Sequence, residues 1–144
     1  FGAEVRRRIL LGTHVLSSGY HDAYYVTAQR VRGLIKRDYD RAFAGDVAGD
    51  AGCAAALLPA APGPAFVAGA KSQDPMAMYL EDAFTVGANL AGLPGITLPV
   101  RTGVDDGDTL PSGVQLIGGA FDDARLLGVA ARLETALAWG ARTA

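Results

Sequence analysis

Three consecutive arginines, Arg6-Arg7-Arg8, stand beside the apolar run Ile9-Leu10-Leu11. Their types allow a solvated basic stripe, a nucleic-acid contact, or the specific hold of a planar anion. Arginine offers a carboxylate two parallel charged hydrogen bonds. A lone carboxylate on an apolar helix face, Asp82 between Tyr79 and Phe84, is suited to an ammonium. Together such groups would recognise an α-amino acid, although on the residues alone both also read as surface charges. Nucleophilic chemistry finds less support. A serine or cysteine nucleophile needs a base within hydrogen-bond reach, and the only histidines, His14 and His21, have no G-x-S-x-G elbow or catalytic-cysteine context to serve. No group of His, Cys and carboxylates has metal-ligand spacing. Gly118-Gly119 follows a strand, but no lysine or third glycine completes a phosphate cradle. Tyr20, Tyr24 and Tyr25 could stack on bases, yet their helical spacing favours core packing. The expected inventory is no catalytic residue and no metal ligand in this chain.

These side chains need a scaffold, and composition bounds what it is. The 144 residues suffice for one domain with a real core. Half of them are apolar, and 13 Lys+Arg against 15 Asp+Glu leave a net charge of -2. That balance disfavours a basic nucleic-acid-binding module. The single Cys53 cannot form an internal disulfide and reads as a small packing residue. No apolar run approaches the roughly 20 residues of a membrane helix, and no signal-peptide pattern opens the chain. Phe1-Gly2 leads straight into a helical pattern, which reads as a piece of a longer protein.

Periodicity predicts a helix over 3–16, with Val5, Ile9, Leu10 and Val15-Leu16 opposite the arginines. Ser17-Ser18-Gly19 breaks it. A longer helix is predicted from Asp22 to about Ala44, its stripe running Tyr24, Ala28, Val31, Leu34-Ile35, Tyr39 and Ala42-Phe43. Arg30, Arg32, Lys36, Arg37, Asp38, Asp40 and Arg41 fill a solvated face. Ala54 to Leu58, ended by Pro59, reads as a buried strand, and Pro62-Gly63-Pro64 as a loop. Asp74-Pro75 caps a third helix through Met78-Tyr79, Phe84 and Leu90 to Gly92. Ile96–Val100 and Val114–Ile117 read as two strands of a hairpin around a Gly- and Asp-rich loop, and Asp122 caps a last helix bearing Leu126-Leu127, Ala130, Leu133 and Leu137. The sum is an α/β layer protein, residues 1–144 reading as part of one domain, whose thin sheet has edges that strands from the rest of that domain should cover.

Three blocks carry a resemblance: FGAEVRRRILLGTHVLSSGYHDAYYVTAQRVRGLIKRDYDRAF, DPMAMYLEDAFTVGANLAGLPGITLPV and PSGVQLIGGAFDDARLLGVAARLE. In this order they resemble the C-terminal part of the amidase signature family, most of all its glutamine-hydrolysing branch in tRNA-dependent amidotransferases. The resemblance implies a mixed β-sheet covered by helices and completed by upstream sequence. It also implies a Ser–Ser–Lys triad in a Gly/Ser-rich region that nothing here matches, so the triad is expected outside this chain. A serine would attack the carboxamide of glutamine and release ammonia. The B and C subunits of such an amidotransferase are the implied partners, and the B subunit would use that ammonia to convert Glu-tRNA(Gln) to Gln-tRNA(Gln). ATP and Mg are expected at the partner and no cofactor on this chain; tRNA contact would run mainly through the B subunit, in the cytoplasm and without a membrane. The last arginine of the family's basic cluster falls on Arg8, which would hold the glutamine carboxylate. The aspartate of its M-Y-x-x-D block falls on Asp82, which would take the α-amino group. The sequence departs from the family's usual proline at Gly87 and usual threonine at Ala60, and the run AGDVAGDAGCAAALLP is looser than the family's aspartate-led strand. Two other readings stay open: a hydrolase of simple or aryl amides within the same family, and a non-catalytic partner-binding domain.

Overall fold

The computed structural model describes residues 1–17, 19–45, 51–71, 74–100, 110 and 112–137. Helix α1 spans Ala3–Val15, with Glu4 in its first turn and His14 in its last. Both suit the helix dipole, negative near the N-terminus and basic near the C-terminus. The Ser17 hydroxyl donates to the His14 carbonyl at 2.6 Å, and Gly19 takes φ +88, which reverses the chain. The chain then re-enters helix through a π-helical turn, His21–Val26. This runs directly into α2, Thr27–Ala44, which stops at Gly45 in the left-handed region.

The expected third helix is two helices. Asp74 does cap the first: its carboxylate accepts from the Met76 and Ala77 N–H groups at 2.9 and 3.1 Å. That helix, α3, ends at Leu80 (Pro75–Leu80), and α4 begins only at Val86 (Val86–Ala91). Between them the amides of Glu81, Asp82, Ala83 and Thr85 reach back three residues rather than four. Such tightened turns break the helical register. A long-range contact fixes the break, because the Gln115 side-chain amide donates to the Phe84 carbonyl. Gln115 is itself buried, so this bond satisfies two polar groups away from water.

Three strands form the sheet: β1 Ala56–Pro59, β2 Gly95–Val100 and β3 Ser112–Ile117. Their order is β1-β3-β2 and both pairings are antiparallel, with Leu116 opposite Leu57 on one side and Ile96 on the other. The hairpin predicted from the two apolar runs is therefore present, while most of its loop lies outside the described residues. Helix α5, Asp123–Leu137, covers one face of the sheet. The core there joins Leu98, Leu116, Leu126 and Ala130, with Ile96, Val114 and Leu133 partly buried around them. Fully burying one such leucine contributes about 1.5–3 kcal/mol. Side chains alternate along a strand, so Gln115 faces the opposite side, where it meets Phe84.

Helix α4 packs on α2. The Arg32 Nε donates to the Leu90 carbonyl at 2.8 Å, so a residue read as solvated closes the end of a neighbouring helix. Gly87 has a matching role: a Cβ there would come within 2.9 Å of the Tyr39 hydroxyl. The departure at Gly87 thus coincides with a close approach of α2.

Other expectations fail on burial. Tyr20, Tyr24 and Tyr25 are exposed and do not pack in a core. They form a surface ladder with the histidines, with ring centroids 4.5 Å apart for His14–Tyr20, 5.7 Å for Tyr20–Tyr24 and 5.1 Å for His21–Tyr25. Val31 and Leu34 on the α2 stripe, and Leu127 and Leu137 on α5, are exposed as well. Cys53 is exposed rather than packed. For the residues on the helices the common cause is that nothing among the described residues covers those faces, whereas Cys53 lies in the segment between α2 and β1.

Candidate amino-acid-binding cleft

Arg8 follows Glu4 by one helical turn, and its Nε donates to Glu4 Oε1 at 3.0 Å. Glu4 Oε2 takes the Arg7 guanidinium at 3.4 Å. Arg6 turns elsewhere, its Nε donating to the Phe1 carbonyl at 3.1 Å. The triplet therefore divides by partner on an exposed helix face: Arg6 meets a backbone carbonyl, while Arg7 and Arg8, the latter 63% exposed, share Glu4. The Arg8 guanidinium also lies over the Tyr79 ring, 5.7 Å from its centroid, which ties α1 to α3. The Glu4 hydrogen bond and charge hold Arg8 above its ordinary value; desolvation opposes them, and Tyr79 and Asp82 add still smaller raising effects.

Asp82 sits in the tightened turn after α3. Its N–H donates to Tyr79 and its carbonyl accepts from Thr85 and Val86, so the backbone there is fixed on both sides. Arg8 and Asp82 meet at one cleft of about 250 Å³, lined by Glu4, Arg7, Arg8, Phe66, Met78, Tyr79, Glu81 and Asp82. The two candidate binding residues, 74 positions apart by their numbers, are brought together. A guanidinium and a carboxylate across a small cleft can engage the two ends of a zwitterion, with Phe66, Met78 and Tyr79 supplying apolar wall.

Besides Met78 and Tyr79, read from sequence only as residues of a helix, four lining residues were not assigned to a site by sequence reasoning. Glu4 and Arg7 were within reach of it, since Glu4 stands at the i−4 and i−3 positions of Arg8 and Arg7. Glu81 and Phe66 were not. Glu81 forms an ion pair with Lys71, and the Lys71 ammonium stands 4.5 Å from the Phe66 ring centroid. Phe66 and Glu81 also line a second cavity of about 530 Å³ with Pro64, Thr97, Pro99 and Gly113. The two cavities therefore share a wall. Among the described residues no group of three or more His, Cys, Asp and Glu could hold a metal ion. No helix among them is long and apolar enough to cross a membrane.

The family model described as Amidase matches residues 1–127. The A subunit of glutamyl-tRNA(Gln) amidotransferase from Methylococcus capsulatus is 53% identical over 144 residues, covering 99% of this chain and 27% of that protein. The protein of the same name in Paenarthrobacter aurescens is 53% identical over 143 residues, covering 97% of this chain and 26% of its own length. The crystal structure of the corresponding glutamyl-tRNA(Gln) amidotransferase A subunit from Thermotoga maritima superposes with a TM-score of 0.63 at 40% identity, over 88% of this chain and 25% of that one. The chain thus spans about a quarter of the length of the relatives it matches. A helical and antiparallel scaffold matched by a solved member, under a family model that runs from the arginine cluster into the last helix, places this chain in the amidase family.

Proposed function

We propose that this chain supplies the amino-acid-recognising part of a glutamine amidohydrolase that serves as the A subunit of a tRNA-dependent amidotransferase. One observation carries the reading: Arg8 and Asp82, of opposite charge, line the same cleft, whose lining also includes the apolar Phe66 and Met78 and the Tyr79 ring. Arg8 would take the α-carboxylate and Asp82 the α-ammonium, leaving the side-chain carboxamide as the end presented for attack. Fixing both ends of the substrate lowers the entropic part of the barrier before any bond changes. The serine nucleophile and its Ser–Lys partners would come from sequence outside this chain. Attack on the carboxamide forms an acyl-enzyme and expels ammonia, and water then releases glutamate. The ammonia would be consumed on Glu-tRNA(Gln) by a partner B subunit, where ATP and Mg would act, in a complex that also holds a C subunit. The relatives' shared name supports this assignment.

Substituting Arg8→Ala in the full-length amidase chain should raise the KM for glutamine by about 10- to 100-fold, since charged hydrogen bonds contribute about 1.5–3 kcal/mol each. Unchanged glutamine dependence would remove the assignment. The apolar wall of Phe66, Met78 and Tyr79 favours a second reading, hydrolysis of simple or aryl amides. In that case Arg8→Ala would leave turnover of carboxylate-free amides as the main activity, at full rate.

A further inference from the structure

The cleft is lined by three carboxylates, Glu4, Glu81 and Asp82, and two guanidiniums, Arg7 and Arg8. Glu4 is taken up by both arginines. Glu81 is taken up by Lys71, in an ion pair whose side chains are only 28% and 22% exposed. The remaining pairs between Lys or Arg and carboxylates among the described residues are short-range helix-face pairs, three or four residues apart and far more exposed. Those are worth little; a pair shielded from water interacts more strongly. Asp82 is then the one cleft carboxylate with no ion-pair partner within 4.0 Å among the described residues. Lys71 also packs on the Phe66 ring, so the same ammonium holds both residues of the wall that the two cavities share.

We infer that Lys71 is a positioning residue that masks Glu81, keeping Arg8 available to a substrate carboxylate and Asp82 the sole site for its ammonium. The inference rests on the amino-acid-binding reading of the cleft and deepens it. Counting lining charges with Lys71, three negative groups meet three positive ones. Without Lys71 the balance is one negative charge in excess, and the freed Glu81 lies in the same small cleft as Arg8. A carboxylate already inside the cleft opposes entry of a second one and offers the ammonium a wrong partner. Selectivity for a zwitterion over a cation therefore resides in Lys71, although Lys71 need not touch the substrate.

The test uses the full-length amidase chain in its complex, with two substrates: glutamine, and glutamine α-amide, whose carboxylate is replaced by a neutral carboxamide. Lys71→Met should lower kcat/KM for glutamine by about tenfold, through KM, and leave that for the α-amide unchanged or raised. Lys71→Met combined with Glu81→Gln, which leaves no bare charge in the wall, should restore glutamine to within about threefold of the parent. Lys71→Arg, which keeps the pair, should behave as the parent. Equal losses on both substrates would overturn the proposal, as would no loss in Lys71→Met or no recovery in the double variant. If Lys71→Met fails to fold, Lys71→Gln, which also removes the charge, takes its place under the same criteria. Arg8→Ala separates the two levels. No effect of Arg8→Ala ends the cleft reading itself, whereas a strong effect there with a silent Lys71→Met ends only the inference.

Discussion

Arg8 differs from Arg6 and Arg7 in what it meets: a carboxylate one turn back, an aromatic ring on another helix and a second carboxylate across the cleft. Those neighbours set its pH behaviour. Its raised value means that the stabilisation of its charged form is complete below the ordinary arginine range and is lost only as pH climbs through a still higher value. Arginine therefore stays charged throughout the neutral range. The ratio of glutamine KM between Arg8→Ala and the parent should stay constant from about pH 6 to pH 9. A ratio that collapses toward one within that window would show that something other than the guanidinium is being titrated. Asp82→Asn keeps the shape and removes the charge, so it should raise the glutamine KM by about tenfold while sparing substrates without an ammonium. Both residues could be named from sequence, since an arginine cluster and an aspartate beside aromatics are visible types, and resemblance selected the members. Lys71 and Glu81 could not, because ten residues separate them and nothing in either's neighbourhood marks the other.

At the scale of elements, the Asp74-Pro75 start was legible because a cap acts on amides two and three residues ahead of it. Asp74→Ala should lower the stability of the full-length chain by about 1 kcal/mol, read as a lower midpoint in thermal unfolding. The end of the same helix was not legible. Its break depends on Gln115, 31 residues away on a strand, and local periodicity carries no trace of such a partner. Gln115→Leu should leave the Phe84 carbonyl without its partner, at a cost of about 1–3 kcal/mol. It should also loosen the turn that carries Asp82, so the glutamine KM should rise together with the loss of stability. A variant that loses stability with an unchanged KM would confine Gln115 to the fold. The α2 stripe was legible as a helix but misleading as a core, since periodicity reports which face is apolar and not what covers it.

At the scale of the whole molecule, apolar faces stay uncovered among the described residues, with Ile9, Leu10, Tyr24, Val31 and Leu34 all exposed on α1, the π-helical turn and α2. The β1-β3-β2 sheet leaves β1 and β2 as edges among the described residues. Residues 1–144 purified alone should therefore bind a hydrophobic dye, associate, and unfold without a cooperative transition. A stable, cooperatively unfolding monomer would favour a self-sufficient partner-binding domain. The α/β class, the hairpin and family membership were legible because each is written in local pattern or contiguous blocks. The exposure of the tyrosine ladder was not, because helical spacing is the same whether or not another surface packs against the rings.

The central claim is that Arg8 and Asp82 together bind an α-amino acid. Calorimetric titration of glutamine into the full-length amidase chain, parent against Arg8→Ala and Asp82→Asn, addresses it without relying on turnover. The account predicts a Kd weakened by at least about tenfold in each variant. A Kd unchanged in either one would contradict it.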